Sequence, residues 1–194
     1  SPTVTMIDLK ISHALRDIFL ICFAVISWVS TSPQIRTRNN FTWEPFSEVA
    51  KIFIAIFITI IPVIAMLHAG LEGPFASLLA KANPQGLPDN NFYFWATGLL
   101  SAFLDNAPTY LVFFHMAGGN AQLLMTVLSQ TLIAISCGAV FMGALSYIGN
   151  APNFMVKSIA EDSGVKMPSF LGYMGWSFTI LIPLFLMLNY LYFK

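Results

Sequence analysis

Two short motifs carry the oxygen-bearing side chains best suited to chemistry. One is Asp105-Asn106-Ala107-Pro108-Thr109; the other runs from Ser146 through Gly149-Asn150-Ala151-Pro152-Asn153. Both lie within apolar stretches and share the triplet Asn-Ala-Pro. Proline lacks a backbone N–H and clashes with the preceding turn, so each triplet is expected to open a helix and free carbonyls. Hard cations take oxygen ligands from carboxylate, amide, hydroxyl and carbonyl groups together. The helix N-terminus beyond each proline offers partial positive charge to an anion. Asp105, Asn106, Thr109 and Asn150 are therefore the candidate cation ligands. Ala107, Pro108, Ser146, Gly149, Ala151, Pro152 and Asn153 complete the candidate ion or substrate site.

Asp105 is the sharpest of these. A carboxylate at the centre of a lipid-facing helix costs roughly 2.5–3.5 kcal/mol, so it must face a cavity or a partner. One carboxylate that holds either a proton or a cation is the minimum machinery for exchanging them. Each residue also has a structural alternative. Asp105, Asn106 and Asn150 can cap helices, and Thr109 and Ser146 can pack helices through their hydroxyls.

The elements that position these motifs follow from composition. The chain has 194 residues, 57% hydrophobic and 9% charged, with nine basic and nine acidic side chains. Mean hydropathy is +0.73. An ordinary soluble domain is about 25% charged; this chain cannot make such a coat. The apolar content excludes disorder, and no basic excess supports nucleic-acid binding. The expectation is an all-α integral membrane protein with the lipid bilayer as its partner. Cys22 and Cys137 lie in apolar runs and show no metal spacing. There is no P-loop or nucleophile elbow, and His68, Glu72 and His115 do not form an H-E-x-x-H site. No enzyme activity and no cofactor are expected.

Residues 1–194 read as a single membrane domain. Scaffold helices are expected over 11–31 and 49–69, with Pro62 inside the second, and an interfacial helix over 71–82. Residues 32–48 read as a polar loop. Residues 92–117 are two apolar arms, each too short to cross a core of about 30 Å, and read as a helical hairpin that enters and leaves by one face. A broken helix follows over 123–163, with Lys157, Glu161 and Asp162 on a polar face. A terminal helix over 169–193 carries Tyr173 and Trp176 near one end and Tyr190 and Tyr192 near the other, an aromatic belt. This amounts to about four membrane-spanning helices plus one re-entrant hairpin and one broken helix. Unpaired backbone in hydrocarbon costs several kcal/mol per group and survives only inside protein or beside water. Paired breaks of this kind are a recurring device of secondary transporters. Ala134, Gly138, Ala139 and Gly143 have the spacing of close helix packing. Arg36, Arg38, Lys51, Lys157 and Lys166 against Lys10, Arg16, Lys81 and Lys194 give a slight positive-inside vote for a hairpin opening outward.

The stretch from Leu100 to Phe114 and that from Ser146 to Lys157 resemble the two signatures of the ion transporter superfamily. They are most similar to the branch of citrate transporters and NhaD-type sodium/proton antiporters, from about residue 48 to the end. The resemblance implies inverted repeats, each with a re-entrant hairpin and a broken helix that together hold a cation and contact substrate. Asp105, Asn106 and Thr109 map to the hairpin tip, and Ser146, Gly149, Asn150 and Pro152 to the broken helix. Sodium and the proton are the implied transported or coupling ions. Carboxylate transporters of the superfamily carry Ser-Asn-Thr at the tip; Asp105 here replaces the serine and favours cation/proton exchange. The alternatives are cation-coupled citrate or carboxylate transport and a non-transporting membrane remnant. The resemblance further implies a homodimer in a bacterial inner membrane. The chain resembles a C-terminal half, with an N-terminal repeat expected in the same or another chain.

Overall fold

A computed structural model describes residues 2–193, and the side chains of all these except 2–13, 44–46, 48, 49, 52, 151 and 162. Ala151 and Asp162, with Lys10 and Lys194 of the charge count, thus lie outside the described side chains. The chain divides into two compact units, residues 1–51 and 52–194.

The first unit holds α1 (Pro2–Ser30), α2 (Pro33–Arg38) and the start of α3 (Glu44–His68). The Ser-Thr-Ser-Pro stop ends α1, and Pro33 opens α2 at a position where a missing N–H costs nothing. Arg36 donates through Nη2 to Trp28 O and, at 2.7 Å, to Thr31 O, capping the end of α1. The segment 32–48, expected as a loop, therefore contains one short helix and the start of another. Arginine donors near a helix C-terminus make that turn favourable.

The second unit continues α3 and adds α4 (Ala76–Ala82), α5 (Asn90–Ser101), α6 (Asn106–Met116), α7 (Ala121–Met125), α8 (Ser129–Met142), α9 (Ala151–Asp162) and α10 (Phe170–Tyr192). Tight 3-10 turns occupy Gly70–Glu72, Pro84–Gly86 and Gly143–Leu145. Side-chain caps set several starts. Asp89 accepts from Asn91 N and Phe92 N at α5, Asn120 from Leu123 N at α7, and Ser169 from Gly172 N at α10. The apolar stretch after residue 121 is interrupted at Thr126 (φ −118, ψ −86), which separates α7 from α8.

The described residues are all helix, turn and coil. Helices α5 and α6 run antiparallel: Tyr93 near the start of α5 meets Phe113 near the end of α6, ring centroids 6.3 Å apart. Helix α8 packs on α5 through small residues. A Cβ on Gly138 would collide with Phe94 O and lie 3.1 Å from Gly98 N. Thr97, Ser101, Thr109, Thr131 and Ser146 are buried here, while Leu99, Phe103, Val140, Ile180, Leu184 and Met187 are exposed. Polar groups inside and apolar groups outside are what a hydrocarbon solvent selects. Among the described residues one helix, Phe170–Tyr192, is long and apolar enough to cross a membrane by itself; Phe53–His68 and Ser129–Leu145 are shorter apolar segments.

Gly138→Ala should force α5 and α8 apart, since the obstructing atom is backbone. Overpacking of this kind costs about 1–3 kcal/mol. Thermal unfolding in detergent, followed by helical circular dichroism, should show a lowered midpoint; an unchanged midpoint would disprove the tight contact.

Candidate functional site

The four-residue link from Ala102 to Asp105 joins α5 to α6, and residues 146–150 join the Gly143–Leu145 turn to α9. Both Asn-Ala-Pro triplets open helices. Asn106 is the first residue of α6, and Asn150 caps α9 by accepting from Asn153 N at 3.0 Å. Pro108 and Pro152 thus sit in first turns, where no intrahelical N–H partner is lost. The expectation that each proline opens a helix from within is corrected: each lies at a helix start, the place its fixed φ suits.

The two motifs meet at Asn106. With its amide turned so that donors face acceptors, Nδ2 lies 2.8 Å from Ser101 Oγ, 2.8 Å from Ala139 O and 3.1 Å from Gly149 O. Ser101 Oγ donates to Ala139 O at 2.6 Å and is free to accept from Asn106. A second bridge lies alongside: Ser146 Oγ donates to Ala102 O at 2.5 Å and accepts from Ile148 N and Gly149 N. One hydroxyl has one donor and two lone pairs, so Ser146 is saturated. Gly143 and Gly149 have no room for side chains. A Cβ on the first would strike the Asn106 amide, and one on the second would lie 3.0 Å from Ala102 O.

The carbonyls of the break are not free, contrary to expectation. Asn153 Nδ2 donates to Gly143 O and Ser146 O, each at 3.2 Å. Tyr173 donates to Ala144 O at 2.9 Å, and Ser177 to Leu145 O at 2.6 Å. Tyr147 stacks on Tyr173, centroids 4.1 Å apart, and its hydroxyl donates to Pro168 O at 3.2 Å. Ser146 is thus fully spent on the fold, while Asn150 commits its Oδ1 and Asn153 its Nδ2 to it.

Two residues of the first motif keep spare capacity. Asp105 occupies the cap position of α6 but its carboxylate takes no cap hydrogen bond. Thr109 is 1% exposed, and its Oγ1 has no hydrogen-bond partner. Both line one pocket of about 280 Å³ between α3 and α6, with Thr59, Ile60, Val63, Leu104 and Val112 among its other walls. Thr59 Oγ1 is turned back onto Ala55 O and Ile56 O. Ala107 and Pro152 are exposed, away from this pocket's lining. Sequence reasoning missed Ser101 and Ser177, and gave Tyr173 a place in an aromatic belt but not its bond to Ala144 O. Each sits at helical spacing in an apolar run and has no local signal of its long-range partner.

The family described as "Putative citrate transport" matches residues 1–193. The chain belongs to that family. The match takes in the first 47 residues, which the motif resemblance did not reach. No curated protein and no solved structure matches the chain. The family is one of membrane transporters, and this citrate-transport family member accordingly presents an apolar exterior around buried polar helix breaks. Among the described residues no group of three or more His, Cys, Asp and Glu could hold a metal ion.

Three variants separate structural from spare groups. Asn106→Ala leaves the carbonyl of Gly149 without its side-chain donor and should cost about 1–3 kcal/mol. Thr109→Val removes an unpaired buried hydroxyl and should leave stability equal or higher. Asp105→Asn should stay within about 0.5 kcal/mol of the parent, because no cap bond is lost. Equal losses for Asn106→Ala and Asp105→Asn in detergent unfolding would overturn this division.

Proposed function

We propose that this citrate-transport family member is a secondary active transporter that exchanges sodium for protons at Asp105. The observation that carries it is a carboxylate with no capping bond, lining an apolar pocket beside the unpaired Thr109 hydroxyl. A carboxylate there is neutral with a proton and neutral again with a sodium ion. Competition between proton and cation for one site is sufficient for antiport.

The rest of the reading follows from the family resemblance. The α5–α6 pair is a re-entrant hairpin and the α8–α9 segment a broken helix, set among about four spanning helices of an inverted-repeat transporter. A second repeat and a homodimer complete the assembly in a bacterial inner membrane. A second reading, cation-coupled transport of citrate or another carboxylate, is favoured by the family's description. Under it, Asp105 and Thr109 hold the coupling cation and the substrate's carboxylates meet that cation.

The test uses proteoliposomes with a trapped pH dye and an imposed sodium gradient. The parent should move protons in response to sodium. Asp105→Asn should abolish that movement while the protein stays folded, and Thr109→Val should weaken it. Sodium-driven proton flux surviving in Asp105→Asn rejects the assignment. Labelled citrate uptake dependent on a cation gradient, without proton flux in citrate's absence, selects the second reading.

A further inference from the structure

A second pocket, of about 420 Å³, lies wholly in the first unit at the end of α1. Three aromatic side chains wall it. Trp28 and Trp43 ring centroids are 5.0 Å apart, Phe41 and Trp43 5.4 Å, and Trp28 and Phe41 5.8 Å. The Arg36 guanidinium stacks on Trp28, its Cζ 3.6 Å from the ring centroid. Ser27, Thr31 and Asn39 add polar groups on one side, and Ala24 and Ile35 apolar ones on the other.

Arg36 is more than a cap. Its Nη2 serves the carbonyls of Trp28 and Thr31. A guanidinium has five N–H donors, and those on Nε and Nη1 take no protein acceptor among the described residues. Stacking on Trp28 holds the plane in place, so the Nε and Nη1 donors keep fixed directions, and either can make one charge-assisted hydrogen bond to a phosphate oxygen. From residue 18 to residue 43 the sequence contains no Asp or Glu, while Arg36 and Arg38 are both cationic. The other end of the pocket opens onto α1, whose Leu20 and Phe23, one turn before Ala24 and Ser27, are exposed. A ligand here meets positive charge and aromatic rings at one end and a continuous apolar helix face at the other. Tryptophan and arginine in this arrangement mark the level of lipid headgroups.

We propose that this pocket binds an anionic phospholipid, its phosphate on the Arg36 guanidinium and its acyl chain along the exposed face of α1. Charge selects the headgroup, because a zwitterionic lipid brings no net negative charge. The rings are themselves exposed and offer flat apolar surface beside the charge.

The test uses the full chain carrying Trp95→Phe and Trp176→Phe, so that fluorescence comes from Trp28 and Trp43. It is reconstituted in vesicles containing phosphatidylglycerol or phosphatidylcholine with brominated tails. Phosphatidylglycerol should quench at a roughly fivefold lower mole fraction, the preference expected of one interfacial arginine. Arg36→Gln should erase the difference. Ala24→Phe fills the pocket from α1 without touching the cap and should erase it too; it decides the matter if Arg36→Gln loses helix content. Equal quenching by both lipids in the parent overturns the proposal, leaving the rings as unselective anchors. A preference that survives Ala24→Phe also overturns it, as general surface attraction. Loss of the preference in millimolar inorganic phosphate would assign the pocket to a free oxyanion instead of a lipid.

Discussion

Each carbonyl from Gly143 to Ser146 accepts its hydrogen bond from a side chain outside the helix that ends there. Leaving helical geometry inside an apolar protein costs free energy for each unpaired carbonyl. The chain meets that cost with Asn153 from the following helix and Tyr173 and Ser177 from α10. Asn106 then ties Gly149 O to the start of α6, and Ser101 ties Ala139 O to the end of α5. The break can exist only while α6, α8, α9 and α10 are all in place. Once they are, its position is fully determined.

This saturation divides the two motifs by task. Ser146, Asn150 and Asn153 hold backbone, so the second motif builds a rigid wall. The first motif supplies both a brace, Asn106, and the unsatisfied pair Asp105 and Thr109. Adjacent residues in one sequence thus do opposite work, because the first turn of α6 directs successive side chains to different faces. Asn106 turns toward α8, while Asp105 and Thr109, four apart, share the face toward α3. A buried hydroxyl left without a partner, as at Thr109, is costly to the fold.

Much of the helical pattern was legible from residue order alone. Asp89, Asn120, Asn150 and Ser169 are small polar residues at the edges of apolar runs, and each accepts a capping bond at a helix start. The small residues Ala134, Gly138 and Gly143 announced a close helix neighbour but not its identity. The α2 helix escaped notice because its six residues carry no apolar period, and the arginine cap that stabilises it acts across the turn. The interruption at Thr126 was hidden for a related reason: threonine within an apolar stretch is no breaker by itself.

The sequence by itself determined the solvent and the chemistry available. A chain with so few charges must place apolar surface outward, and its one carboxylate at the α5–α6 link must face a cavity or a partner. Residue order also located both interruptions, since proline and asparagine act on their immediate neighbours, though not that each triplet begins a helix. Only the tertiary structure decided which polar atoms remained for function. Hydrogen-bond capacity is consumed by partners 30 to 45 residues away, as in Ser146 with Ala102, Ser101 with Ala139 and Ser177 with Leu145. Such pairings depend on how helices pack, a long-range property that no local pattern of residue types encodes.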